Sequence, residues 1–216
     1  LWECFLDVST AGLSLLGLSA TLNEEFYKEV SRDFSLMFEE AIIVNVGNQT
    51  LKNWPSRWLY FPKTLRRFQF ELFFDLATNP NSGVIIAFCP YRNQVKELAQ
   101  KLVAQGVETL TCRGGETQDF IWALAEKPGV KVILATTALS HGVNLPSPRH
   151  VFLLYPIENK DFWIQMVGRG GRRGESFHLY CCDDEFLNRG QKWWGVLKIG
   201  ALALGLKLKR LWWGEL

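Results

Sequence analysis

The sequence predicts an α/β protein built on buried parallel strands, and three observations point there. Apolar runs of strand length recur between segments of helical periodicity, the alternation expected of a parallel sheet covered by its crossover helices. Among the 216 residues, 48% are hydrophobic and 21% charged, enough apolar mass for a core and unlike a disordered chain or a disulfide scaffold. Glycine and proline mark the joints, at Asn79-Pro80, Gly106, Pro128-Gly129 and Pro146.

The elements follow in order. Leu13 to Leu18 reads as a first strand, with a helix beginning near Asn23-Glu24-Glu25, and Ala41 to Val46 reads as a second strand. Between residues 47 and 57 the periodicity breaks at Gly47, Asn48, Gln49, Thr50 and Trp54-Pro55-Ser56, so a change of structural unit is expected there. Beyond it, a helix over Leu65 to Ala77 places Leu65, Phe68, Leu72, Phe73 and Leu76 on one stripe. The strand Val84 to Phe88 leads to a helix over Asn93 to Gln105, with its stripe at Val95, Leu98, Ala99, Leu102 and Val103. Next come a strand at Val107 to Thr111, a helix at Thr117 to Glu126 and the strand Val130 to Ala135, broken only by Lys131. Val151 to Leu154, a helix from Asp161 and Phe177 to Cys181 complete the pattern. The expected division is 1–47, too few elements for a sheet of its own, 48–190, a full α/β domain, and 191–216, a tryptophan-rich basic tail. The first residue is leucine rather than methionine, which fits a piece of a longer protein.

Charge is uneven. Residues 191–216 hold five bases and one acid, leaving 19 bases against 21 acids in residues 1–190. The body therefore has no bulk basic field of the kind that alone implies nucleic-acid binding. The five cysteines have no C-x-x-C spacing, which fits neither a zinc ribbon nor a paired extracellular framework and suggests a reduced, intracellular chain. No metal-ligand cluster is predicted. The apolar stretch Ile199 to Leu206 is far shorter than the ~20 residues of a membrane span. The tail's Trp193-Trp194 and Trp212-Trp213 suit a membrane-surface helix, stacking on single-stranded bases, or packing against the sheet or a further domain.

Three constellations carry chemistry. Ser19 and Thr21 follow a strand, where ligands of open α/β sheets bind, although either could equally cap the next helix. The run from Ala135 to Pro146, with Thr136, Thr137, Ser140, His141, Gly142 and Asn144, offers hydroxyls and amides to a nucleic-acid backbone. From Gln165 to Gly174, three arginines and four glycines share ten residues without an acid. Such a cluster is a solvated loop or an anion site; Arg169 and Arg172 share one face if the helix from Asp161 continues through them.

Taken together these residues resemble the later motifs of superfamily 2 helicases. Ser19-Ala20-Thr21 looks like the S-A-T motif, Val84 to Leu102 like motif IV, 135–146 like motif V, and 165–174 like the Q-x-x-G-R-x-G-R form of motif VI. Gly142 to Pro146 and the leading Gln165 look closer to the Ski-type branch than to DEAD-box proteins. The resemblance implies a RecA-like parallel sheet with helices on both faces, preceded by a fragment of another RecA-like domain. It implies ATP and Mg²⁺ as cofactors of the complete enzyme and DNA or RNA as partner. Arg172 and Arg169, supported by Gln165, would reach nucleotide phosphates, with Arg172 the arginine finger. Ser19, Thr21, Gly142, Asn144 and Gly168 would serve nucleotide binding and coupling, and Thr136, Thr137, Phe88 and Arg92 the nucleic acid.

No lysine directly follows a glycine, no acidic D-E-x-x motif precedes Ser19, and the helix Thr117 to Glu126 lacks the arginine the family carries there. Asp183-Asp184-Glu185 reads as a helix cap. The chain is therefore expected to hold the arginine side of an ATP cleft, to need a separate or missing first domain for the phosphate loop, and not to hydrolyse ATP alone. The alternative is a non-catalytic RecA-like module that binds nucleic acid or protein.

Overall fold

The structure, a computed structural model, describes residues 28–29, 31–32, 51, 53–140 and 143–182. The chain divides into two units, Leu1–Leu51 and Lys52–Leu216. In the first, residues 28, 29, 31 and 32 are helical. The expected strands Leu13 to Leu18 and Ala41 to Val46, the helix cap at Asp183 and the tail lie outside the described residues.

The second unit contains β1 (Arg57–Phe61), α1 (Arg66–Thr78), β2 (Ile85–Phe88), α2 (Arg92–Ala104), β3 (Thr109–Cys112), α3 (Thr117–Glu126), β4 (Val132–Ala135), β5 (His150–Leu153), α4 (Lys160–Val167) and β6 (His178–Cys182). The strands form one parallel sheet in the order β1-β6-β5-β2-β4-β3. Right-handed crossovers then fix the layers. The steps β1 to β2 and β2 to β3 run one way across the sheet and place α1 and α2 on one face. The steps β3 to β4 and β5 to β6 run back and place α3 and α4 on the other.

The side chains agree. Ile85, Ala87, Val132, Leu134 and Phe152 join Phe73, Ala77, Val95, Leu98 and Leu102 in one buried cluster beneath α1 and α2. Within it Phe73 meets Phe152 edge-on at 5.3 Å, and Phe152 stacks on Tyr180 at 4.2 Å. Burying such a side chain is worth about 1.5–3 kcal/mol. On the opposite face Trp163 of α4 lies 5.8 Å from Trp58 of β1. With both faces covered, β2, β4 and β5 are buried throughout, which is why β2, β4 and all of β5 after His150 read as continuous apolar runs.

Local signals set the helix ends. The Asn159 side chain accepts from the backbone N–H groups of Asp161 and Phe162 and starts α4. At the end of α2, Gly106 N donates to Val103 O and Val107 N to Leu102 O, closing the last turn.

Three expectations are corrected. β1 was not anticipated as a strand; its pattern passes from exposed Arg57 to buried Phe61 as it enters the sheet edge beside β6. The buried face of α1 centres on Gln69, Phe73 and Ala77, while Phe68 is 37% exposed. Gln69 belongs inside because its Nε2 donates to Leu153 O at 2.9 Å and Tyr180 O at 3.2 Å. On α2, Val103 faces solvent and Val95, Leu98 and Leu102 pack inward.

Candidate functional site

The carboxyl edge of a parallel sheet is where loops converge and ligands of open α/β folds bind. Here Thr136, directly after β4, donates its N–H to the carbonyl of Cys112 at the end of β3, at 3.0 Å. A 3-10 turn at Thr137–Ser140 follows, and α4 packs against it. The two motif-bearing stretches, 135–146 and 165–174, are thereby brought together.

Arg169 joins them. Its Nη1 donates to the carbonyl of Val143 at 2.5 Å, while Nε and Nη2 are buried and have no hydrogen-bond partner among the described residues. The residue is 1% exposed. Among the described residues no carboxylate pairs with it. Burial, followed by the nearby charge of Arg172 and partly offset by Cys112, lowers its pKa to about 10. A guanidinium kept in an apolar slot with two donors unused is costly unless an anion satisfies them.

The helix ends before the arginines. α4 stops at Val167, and Gly168 takes up αR geometry with its N–H on Ile164 O at 2.8 Å. A Cβ on Gly168 would stand 2.7 Å from that same carbonyl oxygen, so only glycine fits. Arg169 and Arg172 therefore do not share a helical face. Arg169 turns inward, whereas Arg172 is exposed and donates through Nε to Gly168 O at 3.3 Å. Gly170 and Gly171 pass against the Phe177 ring, with virtual Cβ distances of 2.3 and 2.9 Å, and Gly171 has φ +63°. Exposed Glu175 accepts from the backbone N–H of Arg173 at 2.9 Å. Its own backbone N–H first, then that of Arg173 and the Ser147 side chain, hold its pKa down.

The other expected residues distribute as follows. Gln165 lies half-buried on α4 one turn before Arg169. Thr137 and Asn144 are exposed, while Thr136 is buried. Arg92 is exposed at the first turn of α2 and donates through Nη2 to Gly114 O in the loop after β3. Phe88 ends β2 fully buried between β4 and β5, and offers no surface to a nucleic acid. Ser19, Thr21 and Gly142 lie outside the described residues.

Two participants were not foreseen. The Val143 carbonyl acts through the backbone, so no side-chain pattern could have announced it. Asn53 donates through Nδ2 to Gly171 O and ties the segment before β1 to the arginine loop; its signal was a polar residue directly ahead of Trp54-Pro55-Ser56.

Other chemistries find little support among the described residues. Cys89, Cys112, Cys181 and Cys182 are buried and form no disulfide among the described residues. Burial pushes Cys89 to about 12 and raises Cys112, so both are protonated and poorly nucleophilic near neutrality. No three His, Cys, Asp or Glu side chains converge to hold a metal ion. No helix is long and apolar enough to cross a membrane.

Comparison with known proteins gives the arrangement its kin. Residues 68–174 match the helicase conserved C-terminal domain. The chain is 24% identical over 176 residues to the ATP-dependent RNA helicase SrmB of Escherichia coli (strain K12), an alignment that covers 78% of the chain and 39% of SrmB. It is 23% identical over 171 residues to the RecQ-like DNA helicase BLM of Xenopus laevis, covering 76% of the chain and 12% of that protein. A solved structure of S. cerevisiae Dbp5 bound to RNA and ADP BeF3 superposes with a TM-score of 0.62 at 15% identity, covering 91% of this chain and 51% of that one. At that identity the likeness is one of fold. The chain spans well under half the length of these curated relatives.

Proposed function

Because the chain belongs to the superfamily 2 helicases through its C-terminal RecA-like domain, we propose that it is the C-terminal motor half of an ATP-dependent nucleic-acid helicase. The observation behind this reading is Arg169, a buried guanidinium with one partner and two unused donors. Phosphate oxygens suit those donors, since guanidinium forks bind them bidentately and with full charge assistance.

In this reading Arg169 holds a phosphate from within its slot, and exposed Arg172 reaches across a cleft to the charge that develops on the transferred phosphoryl group. An arginine so placed contributes about 10³- to 10⁵-fold in rate. Gln165 supports Arg169 from one turn back, and the Gly168 turn aims both arginines. Thr136, Thr137, Asn144 and Arg92 belong to the nucleic-acid and coupling surface. Phe88 is left out of it, because it is buried. ATP with Mg²⁺ supplies the phosphoryl chemistry; the described residues contain no cluster suited to Mg²⁺, so the metal is assigned no ligand here. The cysteines of the described residues, buried and without a disulfide, agree with a reducing, intracellular setting.

The phosphate-binding loop and acidic motif are assigned to a first RecA-like domain beyond this sequence. The expectation is that the purified chain shows no ATP turnover with or without RNA or DNA. Turnover stimulated by nucleic acid and lost in Arg172→Ala would overturn it. The second reading, a non-catalytic interaction module, draws on α3, where Trp122 is 61% and Ile121 38% exposed. It predicts that tripolyphosphate leaves the thermal stability of the chain unchanged, whereas the motor reading predicts stabilisation that Arg172→Ala weakens.

A further inference from the structure

We infer that the amino edge of the sheet carries an oxyanion site apart from the arginine loop, in which Arg57, Arg149 and His178 take one tetrahedral group of the phosphate or sulfate class. Phe177 packs its ring against Gly170 and Gly171 of the arginine loop, and the next side chain alternates to the other face of the sheet. His178 therefore shares its face with Tyr180, in the cluster beneath α1 and α2. It is half-buried, and register brings its neighbours to it: Arg57 opens β1 on one side and His150 opens β5 on the other. The His150 and His178 rings meet edge-on at 5.1 Å.

A hydrogen-bonded chain with a fixed direction sets the His178 tautomer. A carbonyl only accepts, so His150 carries a proton on Nε2 and donates it to Ser82 O at 2.8 Å. Burial lowers the His150 pKa to about 4, which leaves the ring neutral near pH 7. Its Nδ1 then accepts from the Tyr180 hydroxyl at 2.9 Å. The Tyr180 oxygen is left to accept from the Nδ1–H of His178 at 3.4 Å. Nε2 of His178 stands outside this chain and has no partner among the described residues.

Two guanidinium groups act on that ring. After burial, Arg57 and then Arg149 lower the His178 pKa, and both act on Tyr180 as well. The Arg149 stem is held in place: a Cβ on Gly83, which has φ +80°, would stand 3.2 Å from both Cβ and Cδ of Arg149. The Arg149 carbonyl accepts from the His178 N–H at 2.9 Å. Lys131, which acts on His150, donates through Nζ to Asn79 O. Among the described residues no carboxylate pairs with Arg57 or Arg149. Glu175, the acid nearest to His178 in sequence, accepts from the Arg173 N–H.

Like charges around an imidazole disfavour its charged form until an anion joins them. Two guanidinium forks and one imidazolium N–H match three oxygens of a tetrahedral group, whereas a carboxylate offers two. His178 is the third donor only when protonated. Its folded pKa lies below the ordinary ~6.5, so the site gains affinity as pH falls through that folded value and lacks its third donor at alkaline pH. A bound anion raises the His178 pKa, and binding takes up a proton.

The test follows the three histidine rings of the full chain by NMR, as sulfate is titrated at constant ionic strength. A saturable shift of His178 is expected, with His150 unmoved because both its nitrogens are engaged. Sulfate should bind about 10-fold more tightly at about pH 5.5 than at about pH 8, the effect of gaining one charge-assisted donor. Arg57→Gln and Arg149→Gln should each weaken binding about 2- to 5-fold, as exposed charges do, and His178→Gln should remove the pH dependence in calorimetry. Arg172→Ala should leave the His178 shift intact. Methyl phosphate in the same titration tells the sources apart: a matching shift admits esterified phosphate, and a shift with inorganic phosphate and sulfate alone restricts the site to free ions. If chloride at matched ionic strength moves His178 as far as sulfate does, the response is screening of the two arginines and the site is overturned. It is overturned equally if the shift survives Arg57→Gln and Arg149→Gln but not Arg172→Ala. If an oligonucleotide without a terminal phosphate moves His178 at lower concentration than sulfate, the cluster belongs to a nucleic-acid surface and the inference fails.

Discussion

Replacing Arg169 with methionine separates an anion receptor from a structural clamp. Methionine matches the length and apolar stem of arginine and removes the charge. The guanidinium pKa of about 10, against an ordinary ~12.5, means that the slot penalises the charged form by about 3 kcal/mol. The substitution relieves that penalty and forfeits the hydrogen bond to Val143 O at 2.5 Å, a charge-assisted contact worth about 1.5–3 kcal/mol. The net change is a gain of roughly 0–2 kcal/mol, which for a domain of this size raises Tm by about 0–8 °C. A structural arginine behaves oppositely: breaking a satisfied buried charge pair costs about 3–5 kcal/mol, a fall of roughly 6–20 °C. The assay is thermal unfolding followed by circular dichroism, without ligand and with a tripolyphosphate series. Wild type should be stabilised by the anion and Arg169→Met should not. A fall in Tm beyond about 6 °C without ligand would refute the reasoning, because it would mean that the two unused donors cost the fold little and the Val143 contact a great deal.

Other outcomes follow from the same geometry. His150, 4% exposed, sits between Tyr180 OH at 2.9 Å and Ser82 O at 2.8 Å, and burial lowers its pKa to about 4. Its folded pKa is below the unfolded ~6.5, so stability is full above pH 6.5 and falls by about 3 kcal/mol as pH drops towards 4; urea melts across that window should show a slope that His150→Phe flattens. Gly170→Ala forces a Cβ to 2.3 Å from the Phe177 ring, an overpacking expected to cost about 1–3 kcal/mol and to abolish tripolyphosphate stabilisation in the same melts. Gln69→Leu keeps the volume of the α1–sheet interface but leaves the carbonyls of Leu153 and Tyr180 without their side-chain donor; a loss of about 1–3 kcal/mol in denaturant titrations is expected.

The strands of the sheet interior were legible because burial on both faces leaves no polar alternation: β2 and β4 are short unbroken apolar runs, and β5 is one from Val151 onward. The helix Thr117–Glu126 was legible to the residue. β1 was not, because an edge strand that starts at exposed Arg57 just after Trp54-Pro55-Ser56 looks like the end of a linker. The face of α1 was misread for a related reason: Phe and Leu occupy most of its circumference, so periodicity underdetermines the buried side. The deciding residue is polar, Gln69, and its role depends on carbonyls 84 and 111 positions away. Phe88 drew a nucleic-acid role from its place in a motif, and its burial between two strands removes that role. The arginine cluster itself was plain in the sequence. Its division into an inward and an outward guanidinium was not, since that depends on the Gly168 turn and on how close the Ile164 carbonyl lies.

In the proposed function, that division would let a chain with little net charge hold a polyanion. A bulk basic field acts through solvent and is screened over about 8 Å at physiological ionic strength. Arg169 escapes this screening because it is 1% exposed, and its two free donors act at short range in a low-dielectric slot. Arg172 remains in water, where its charge is screened but its side chain can move to meet a ligand. Their mutual repulsion, which after burial helps depress the pKa of Arg169, would in the proposed function be relieved by an anion lying between them. On the proposed reading, the cost of two like charges that no carboxylate pairs among the described residues is present in the free protein and would be released on binding, so that a few well-placed donors would do what a basic surface does elsewhere.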